Sequence, residues 1–219
     1  MHLVLTPQTL PDAVSYNVIG DLKGSEHPEQ IVIVSGHLDS WDLGRGAIDD
    51  GAGVAVAMQA AQLLKQLHLR PKRTLRVVAW MNEENGTRGA LAYAKDYQSE
   101  IANHFAAIET DLGAGHPLGF YAQGKPELLT LLQPLAAILQ SQGAGVTRLV
   151  EETGSDVEPL GAAGVPTFAP IQDARTYFNY HHTAADTLDK IDPKNLQENC
   201  AVVAALAYTL ASMPQALPR

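Results

Sequence analysis

Histidine and acidic residues occur in five short motifs whose side chains suit metal binding. The motifs are HLD at 37–39, DDG at 49–51, EE at 83–84, ETD at 109–111 and HHTAAD at 181–186. Mixed histidine and carboxylate ligands without a thiolate suit zinc, and also manganese or cobalt. Each motif alone has an ordinary explanation, such as a solvated turn or a structural His–Asp pair. Taken together, the five motifs predict a metal centre.

Three of these motifs follow segments that have the composition of buried strands. The segments are Gln30–Gly36, Arg73–Met81 and His104–Thr110, and they are largely apolar, as in strands covered on both faces. In an open α/β sheet, ligands bind beyond the carboxyl ends of the strands. The sequence therefore predicts that His37, the glutamate pair and Asp111 meet at one edge of a sheet.

The rest of the chain alternates strand-like and helix-like segments, which predicts an α/β fold with one core. Further strands are expected at Ser15–Leu22, Gly145–Val150 and Val165–Pro170. Helices are expected at Gly51–Leu67, at Gly86–Tyr97, at Pro126–Gln142 with a kink or break at Pro134, and from Asp192-Pro193 to about Met213. The segment Gly119–Pro126 is expected to be a turn, because Pro126 replaces the hydroxyl residue of a phosphate-binding loop.

The first two motifs have local geometry that can be predicted. Residues i and i+2 of an extended segment face the same way, so Asp39 is expected to accept a hydrogen bond from the His37 ring. Asp50 is placed to cap the helix that follows it. Asp49 then needs another partner for its charge, and a metal ion is one candidate.

The other three motifs leave their roles open. Of the two neighbouring glutamates, one could bind metal while the other handles protons. Glu109 and Asp111 share a face if their strand continues, so either could be a ligand. Adjacent histidines in a strand point apart, so only one of His181 and His182 is expected to bind, and Asp186 is a further acidic residue in the same motif.

Composition limits the class of function. The 219 residues include 15 Lys and Arg against 24 Asp and Glu, which gives a net charge of −9. A chain this acidic is a poor binder of nucleic acid or anionic membranes, because both need a basic face. The longest apolar run, 201–213, is too short to span a bilayer, and the first residues do not have the pattern of a signal peptide. Cys200, the single cysteine, is expected to pack in the core.

The ordered motifs HLD, GAIDDGAG, NEEN, ETD and HHTAADT resemble those of the co-catalytic zinc exopeptidases of the bacterial leucyl-aminopeptidase type. The stretches at 27–53 and 70–80 are similar to the carboxypeptidase Q branch of that family, also called plasma glutamate carboxypeptidase. The resemblance extends from about Tyr16 to Met213. It implies a three-layer helix–sheet–helix arrangement with a mostly parallel, mixed sheet, known as the zinc-exopeptidase (phosphorylase/hydrolase-like) fold. Residues 1–219 would be one catalytic domain that lacks N-terminal parts carried by other family members.

The family pattern implies a role for each site residue. Two zinc ions would be held by five ligands, which are His37 and Asp111 on one ion, Glu84 and His182 on the other, and Asp49 between them. Glu83 would be the general base, and Asp39 would be the partner of His37. His181 would line the pocket, and the peptide bond after Asp49 is commonly cis in this family.

The resemblance also implies a metallo-exopeptidase that acts on dipeptides or short peptides with a free N-terminus. An aminopeptidase, a carboxypeptidase and a dipeptidase all stay open, with His181, Arg45 and Tyr177 as candidate substrate contacts. A secreted or periplasmic location is expected, a homodimer is a candidate assembly, and no nucleic-acid or membrane partner is expected. The alternatives are a glutaminyl cyclase-like enzyme with one zinc, a non-catalytic receptor-like domain of the same fold, and a metal-binding protein without turnover.

Overall fold

The computed structural model describes residues 1–219 and contains seven strands and five α-helices. The strands are β1 Val18–Leu22, β2 His27–His37, β3 Arg73–Trp80, β4 His104–Glu109, β5 Pro117–Gln123, β6 Val146–Leu149 and β7 Thr167–Gln172. The helices are α1 Ala52–Gln66, α2 Arg88–Asp96, α3 Glu127–Leu139, α4 Glu158–Ala162 and α5 Pro193–Ser212. The predicted α/β class is confirmed.

The strands form one mixed sheet in the order β1-β3-β2-β4-β7-β5-β6. The four central strands β3, β2, β4 and β7 are mutually parallel, whereas β1 pairs antiparallel with β3 and β5 pairs antiparallel with β7. Consequently, the carboxyl ends of four neighbouring parallel strands lie at the same edge of the sheet. Parallel strands need helical crossovers, and these cover both faces of the sheet.

Two apolar layers flank the sheet and give the expected three-layer arrangement. The larger layer packs α1, α3 and α5 against one face, with the central strand residues Val32 and Val34 fully buried in it. The smaller layer packs α2 and the start of α4 against the other face around Ile33 and Trp80. Cys200 packs at the margin of the larger layer, as expected. None of the helices combines the length and apolar character needed to cross a membrane.

One expected element is wrong, and one expected break in a helix is absent. The segment expected to be a turn at Gly119–Pro126 instead contains most of β5, which pairs with β7 and buries Phe120 and Ala122. The glycine and proline residues around this strand suggest a turn in the sequence. Its pairing partner, β7, lies about fifty residues further on, so the pairing cannot be predicted from the local sequence. Helix α3 runs unbroken through Pro134, because its leucines pack into the larger apolar layer and hold the helix in place.

Close approach of α1 to the sheet edge requires glycine at two positions. A Cβ atom on Gly53 would lie 1.8 Å from the carbonyl oxygen of Thr110, and one on Gly36 would lie 2.3 Å from a carboxylate oxygen of Asp50. Neither distance is compatible with a side chain. Gly53 of α1 and Gly36 of β2 therefore let the first turn of α1 sit directly against the ends of β2 and β4.

His104 lies in a buried polar network remote from the metal-binding motifs. Its Nδ1–H donates to the Glu100 carbonyl oxygen (3.1 Å), and its Nε2 accepts from the Tyr93 hydroxyl (2.8 Å), which in turn accepts from Arg76 (3.0 Å). Burial lowers the pKa of His104 and outweighs the hydrogen bond to Glu100, which raises it, and the charge of Arg76 lowers the pKa further.

We expect His104 to destabilise the fold as the pH falls below the ordinary histidine pKa of about 6.5. Its folded-state pKa is depressed, so the unfolded chain takes up this proton first and is favoured at low pH. The loss can reach at most about 1.4 kcal/mol per pH unit, the slope for one proton. Urea unfolding measures the free energy of unfolding at pH 7.5 and at pH 5.5. This free energy should fall less between the two pH values for His104→Gln than for the parent, and the exposed His2→Gln serves as control. An equal fall in the free energy of unfolding for His104→Gln and the parent would contradict this expectation.

Candidate metal centre

The carboxyl ends of adjacent parallel strands bring the predicted site residues together. His37 is the last residue of β2, the glutamate pair follows the end of β3 at Trp80, and Asp111 follows the end of β4 at Glu109. The loop after β7 carries His181 and His182, which come to the same edge because β7 is the neighbour of β4. This edge matches the usual ligand-binding position of open α/β sheets.

One group of candidate ligands forms around His37. Its Nε2 lies 3.0 Å from Oδ1 of Asp49 and 3.5 Å from Oδ1 of Asp111. The ligand atoms of these three residues lie within 4.8 Å of one another, which is close enough to hold one metal ion. Of the two acidic residues in the ETD motif, Asp111 faces the centre. The carboxylate of the buried Glu109 instead accepts a hydrogen bond from the Val157 amide (2.8 Å).

A second group forms on the other side of Asp49. Oδ2 of Asp49 lies 3.2 Å from Nε2 of His182 and 3.3 Å from Nε2 of His181. His182 Nε2 also lies 2.9 Å from Oε2 of Glu84. Asp49 is therefore common to both groups, with one oxygen directed to each. This is the arrangement expected of a carboxylate shared between two ions.

Several buried oxygens at this edge lack any hydrogen-bond partner. They are Oδ2 of Asp49, Oε1 of Glu84 and Oδ1 of Asp111. A buried, unpaired carboxylate oxygen is costly, and a bound cation removes that cost. Burial lowers the pKa of His37, but its contacts with Asp111 and Asp49 outweigh burial and raise that pKa overall. The excess of negative charge around a buried imidazole is what a divalent ion would neutralise, so the residues present fit a metal.

Asp39 supports the site differently from the way the HLD spacing predicts. The His37 ring uses Nδ1 to donate to the main-chain oxygen of Asp39 (2.9 Å), while the nearer carboxylate oxygen is 3.9 Å away. The Asp39 carboxylate instead accepts from the amides of Glu83 (3.0 Å) and Glu84 (3.3 Å). Strand β2 ends at His37, so the i, i+2 relation of an extended strand does not reach Asp39. Asp39 thus positions the two glutamates.

The two histidines do not point apart, which corrects the expectation for a strand. Residues 181–185 form a turn, and His182 has φ of +58°, in the left-handed region. The two imidazole rings stack with centroids 3.6 Å apart and both reach Asp49. The alternation of side chains holds only in extended backbone, and the sequence did not reveal this turn.

Two further carboxylates hold the turn that presents Asp49. Asp186 accepts hydrogen bonds from the amides of Ile48 (2.7 Å) and Asp49 (3.1 Å). Asp50 accepts from the His37 amide (2.9 Å) and from the Gly53 amide in the first turn of α1 (3.1 Å), in line with its predicted capping role. The Asp49–Asp50 peptide bond is cis, as the family resemblance implies. The sequence identifies Asp186 as an acidic residue of the HHTAAD motif, but only the folded chain shows that it binds the amides of Ile48 and Asp49.

The candidate substrate contacts differ in their placement. Tyr177 is buried beside the centre, its ring 4.9 Å from that of His181, and its pKa is raised by burial and by the nearby carboxylates. Tyr177 and Ile48 also line a cavity of about 190 Å³ next to the centre. The Arg45 guanidinium is exposed and forms no ion pair, and only its backbone amide is engaged, with the Asp186 carbonyl (2.9 Å).

Comparison with known proteins gives the family. The sequence model of Peptidase family M28 matches residues 17–207. The chain belongs to peptidase family M28. The resemblance found in its motifs is thus confirmed at the level of the family.

Known proteins are similar to this chain in sequence and in fold. Carboxypeptidase Q of Xenopus laevis is 42% identical over 95% of this chain, and that of Homo sapiens is 38% identical over 100%. A peptidase M28 precursor from Shewanella amazonensis has a TM-score of 0.88 at 40% identity over 94% of the chain. An aminopeptidase from Aneurinibacillus sp. strain AM-1 has a TM-score of 0.74 at 28% identity over 93%. This chain spans about half of each: 44%, 46%, 46% and 50% of their lengths.

Proposed function

We propose that this chain is the catalytic region of a two-zinc exopeptidase that cleaves dipeptides or short peptides with a free N-terminus. The observation that carries the proposal is the division of Asp49 between two ligand groups, Oδ1 towards His37 and Oδ2 towards His182. Asp111 completes the first group and Glu84 the second, which matches the roles implied by the family pattern. Zinc suits this mixture of imidazole and carboxylate ligands, with manganese or cobalt as substitutes.

When bound, two zinc ions would lower the pKa of water at the centre and polarise the substrate carbonyl. Glu83 is the proposed general base, taking a proton from the attacking water and passing it to the leaving amine. Burial raises the pKa of Glu83 and outweighs the nearby His37 charge, which suits a group that accepts and then releases a proton. The Asp39–amide hydrogen bond fixes the Glu83 backbone at the rim of the centre.

We also propose that His181 and Tyr177 contact the substrate, with Arg45 as a further candidate for a negatively charged group. His181 and Tyr177 lie at the centre, whereas Arg45 would have to reach in from the surface. A secreted or periplasmic location and a homodimer stay predictions of the resemblance.

The alternative functions differ from this proposal either in the number of bound metal ions or in having no catalytic activity. A glutaminyl cyclase-like enzyme would use one zinc, whereas two groups sharing Asp49 favour two. A receptor-like domain or a passive metal-binding protein would have no need of Glu83 beside the two groups.

A pair of substrates tests the proposed activity. The zinc-loaded protein is expected to cleave a dipeptide with a free α-amine and to leave its N-acetylated twin intact, because one ion would bind the free amine. A third substrate, the same dipeptide with an amidated C-terminus, separates an aminopeptidase, which would cleave it, from an enzyme that needs the free carboxylate. Each reaction is followed by release of the free amino acid, with metal content measured in the same sample.

Each outcome of this assay has a definite meaning. Cleavage of the acetylated dipeptide at a similar rate would contradict recognition of the free amine. No cleavage of any substrate, with two zinc ions bound per chain, would contradict the proposed activity and favour the receptor-like alternative. One bound ion together with cyclisation of an N-terminal glutamine would favour the glutaminyl cyclase-like alternative.

A further inference from the structure

Trp41 touches two of the proposed ligands on the same side of the centre. Its indole Nε1–H donates to Oε2 of Glu84 at 2.6 Å, and its ring lies 5.0 Å from the His182 ring at an angle of 44°. No corresponding contact reaches His37 or Asp111. The tryptophan is therefore associated with one half of the centre.

The position of Trp41 is not explained by packing in the core. The residue is 50% exposed and lies in the loop that joins β2 to the turn carrying Asp49. The loop is held in place without the indole: the Gly44 amide donates to the Trp41 carbonyl (3.2 Å), and the Arg45 amide donates to the Asp186 carbonyl (2.9 Å). The indole hydrogen bond to Glu84 is thus the specific contact of this side chain.

The hydrogen bond restricts how Glu84 can meet a metal ion. One carboxylate oxygen is engaged by the indole, while Oε1 has no partner. A glutamate has three side-chain torsions, and fixing them in advance lowers the entropic cost of binding an ion. Partners in the outer shell of metal sites commonly orient ligands in this way.

We infer that Trp41 is a positioning residue for Glu84 and controls the affinity of only one of the two metal-binding steps. The inference rests on the proposed two-ion centre. Its specific consequence is asymmetry: the half of the centre formed by Glu84 and His182 depends on Trp41, and the half formed by His37 and Asp111 does not.

The substitution Trp41→Phe tests this asymmetry, because it keeps an aromatic ring beside His182 and removes the N–H donor. Titration of the metal-free protein with Co²⁺ or Zn²⁺, followed by calorimetry, is expected to show one binding step weakened by about 10- to 100-fold, the range for losing an outer-shell partner. The other step should be unchanged. Leu43→Ala, an exposed residue of the same loop, serves as the matched control and should leave both steps unchanged.

A double-mutant cycle separates action through Glu84 from a general effect on the loop. In a Glu84→Ala background the indole has no carboxylate to hold, so adding Trp41→Phe should cause no further loss of metal affinity. Thermal unfolding of each metal-free variant checks that the fold is retained.

The outcomes distinguish this inference from the proposed function. Equal weakening of both steps, or a further loss in the Glu84→Ala background, would show that Trp41 acts through the loop and would overturn the inference. Two unchanged steps in Trp41→Phe would also overturn it while leaving the two-ion centre intact. A parent protein that binds fewer than two ions would contradict the proposed function itself.

Discussion

Replacing Glu83 with glutamine is expected to remove most of the proposed peptide hydrolysis while the two proposed zinc ions stay bound. Glutamine has nearly the same shape but cannot accept a proton at neutral pH. General acid–base catalysis by one positioned group contributes about 10²- to 10⁴-fold, so a loss of that size in kcat is expected. The Glu83 backbone should not move, since its amide is held by Asp39 through a hydrogen bond of 3.0 Å.

The Glu83→Gln measurement combines kcat with metal content. Steady-state hydrolysis of the free-amine dipeptide gives kcat, and metal analysis of the same preparation shows whether two ions remain. Glu152→Gln, an exposed glutamate on another loop, is the matched control and should retain parent activity. Near-normal kcat in Glu83→Gln would show that another group is the base. Loss of metal would instead identify Glu83 as a ligand.

Replacing Asp49 with alanine is expected to weaken the binding of both ions together. Each of its oxygens faces a different ligand group, at 3.0 Å from His37 and 3.2 Å from His182, so one substitution removes a ligand from each. The loss in affinity should exceed the roughly 10- to 100-fold range of outer-shell substitutions, because a direct ligand is removed. Hydrolysis should fall with metal content.

Stability without metal distinguishes this effect from misfolding. Asp49 is 4% exposed and its Oδ1 contacts the buried His37 ring at 3.0 Å, so removing the carboxylate also removes this contact from the metal-free fold. We expect Asp49→Ala in chelator to unfold in one cooperative transition at a lower temperature than the parent, which shows that the variant is folded when its metal affinity is measured. Asp42→Ala, an exposed residue of the preceding loop, is the control for both measurements. Loss of only one ion in Asp49→Ala would contradict its role as the shared ligand.

The fold could be predicted largely because its strands and helices have strong local patterns. Strands β2, β3 and β4 begin and end within three residues of their predicted bounds. β5 was missed because its burial depends on pairing with β7, which is distant in the chain. Helix α3 passes through Pro134 for a similar reason, since tertiary packing compensates for a local defect.

The candidate ligands themselves could be named from residue type, spacing and family resemblance. What the sequence alone determined is therefore the set of residues and the sheet edge at which they meet, because strand polarity follows from the strand–helix alternation. The conformation of the backbone turns that follow the strands could not be predicted from the sequence. They direct the Asp39 carboxylate to two amides and stack His181 on His182.

Only the tertiary structure decided how Asp49 is held and shared. Asp186 binds the turn from more than one hundred residues away, and Trp41 reaches Glu84 across two loops. Such contacts depend on where loops from different strands converge, and no local pattern encodes that. Residue chemistry is a property of the sequence, whereas the orientation of each oxygen depends on hydrogen bonds that form only in the folded chain.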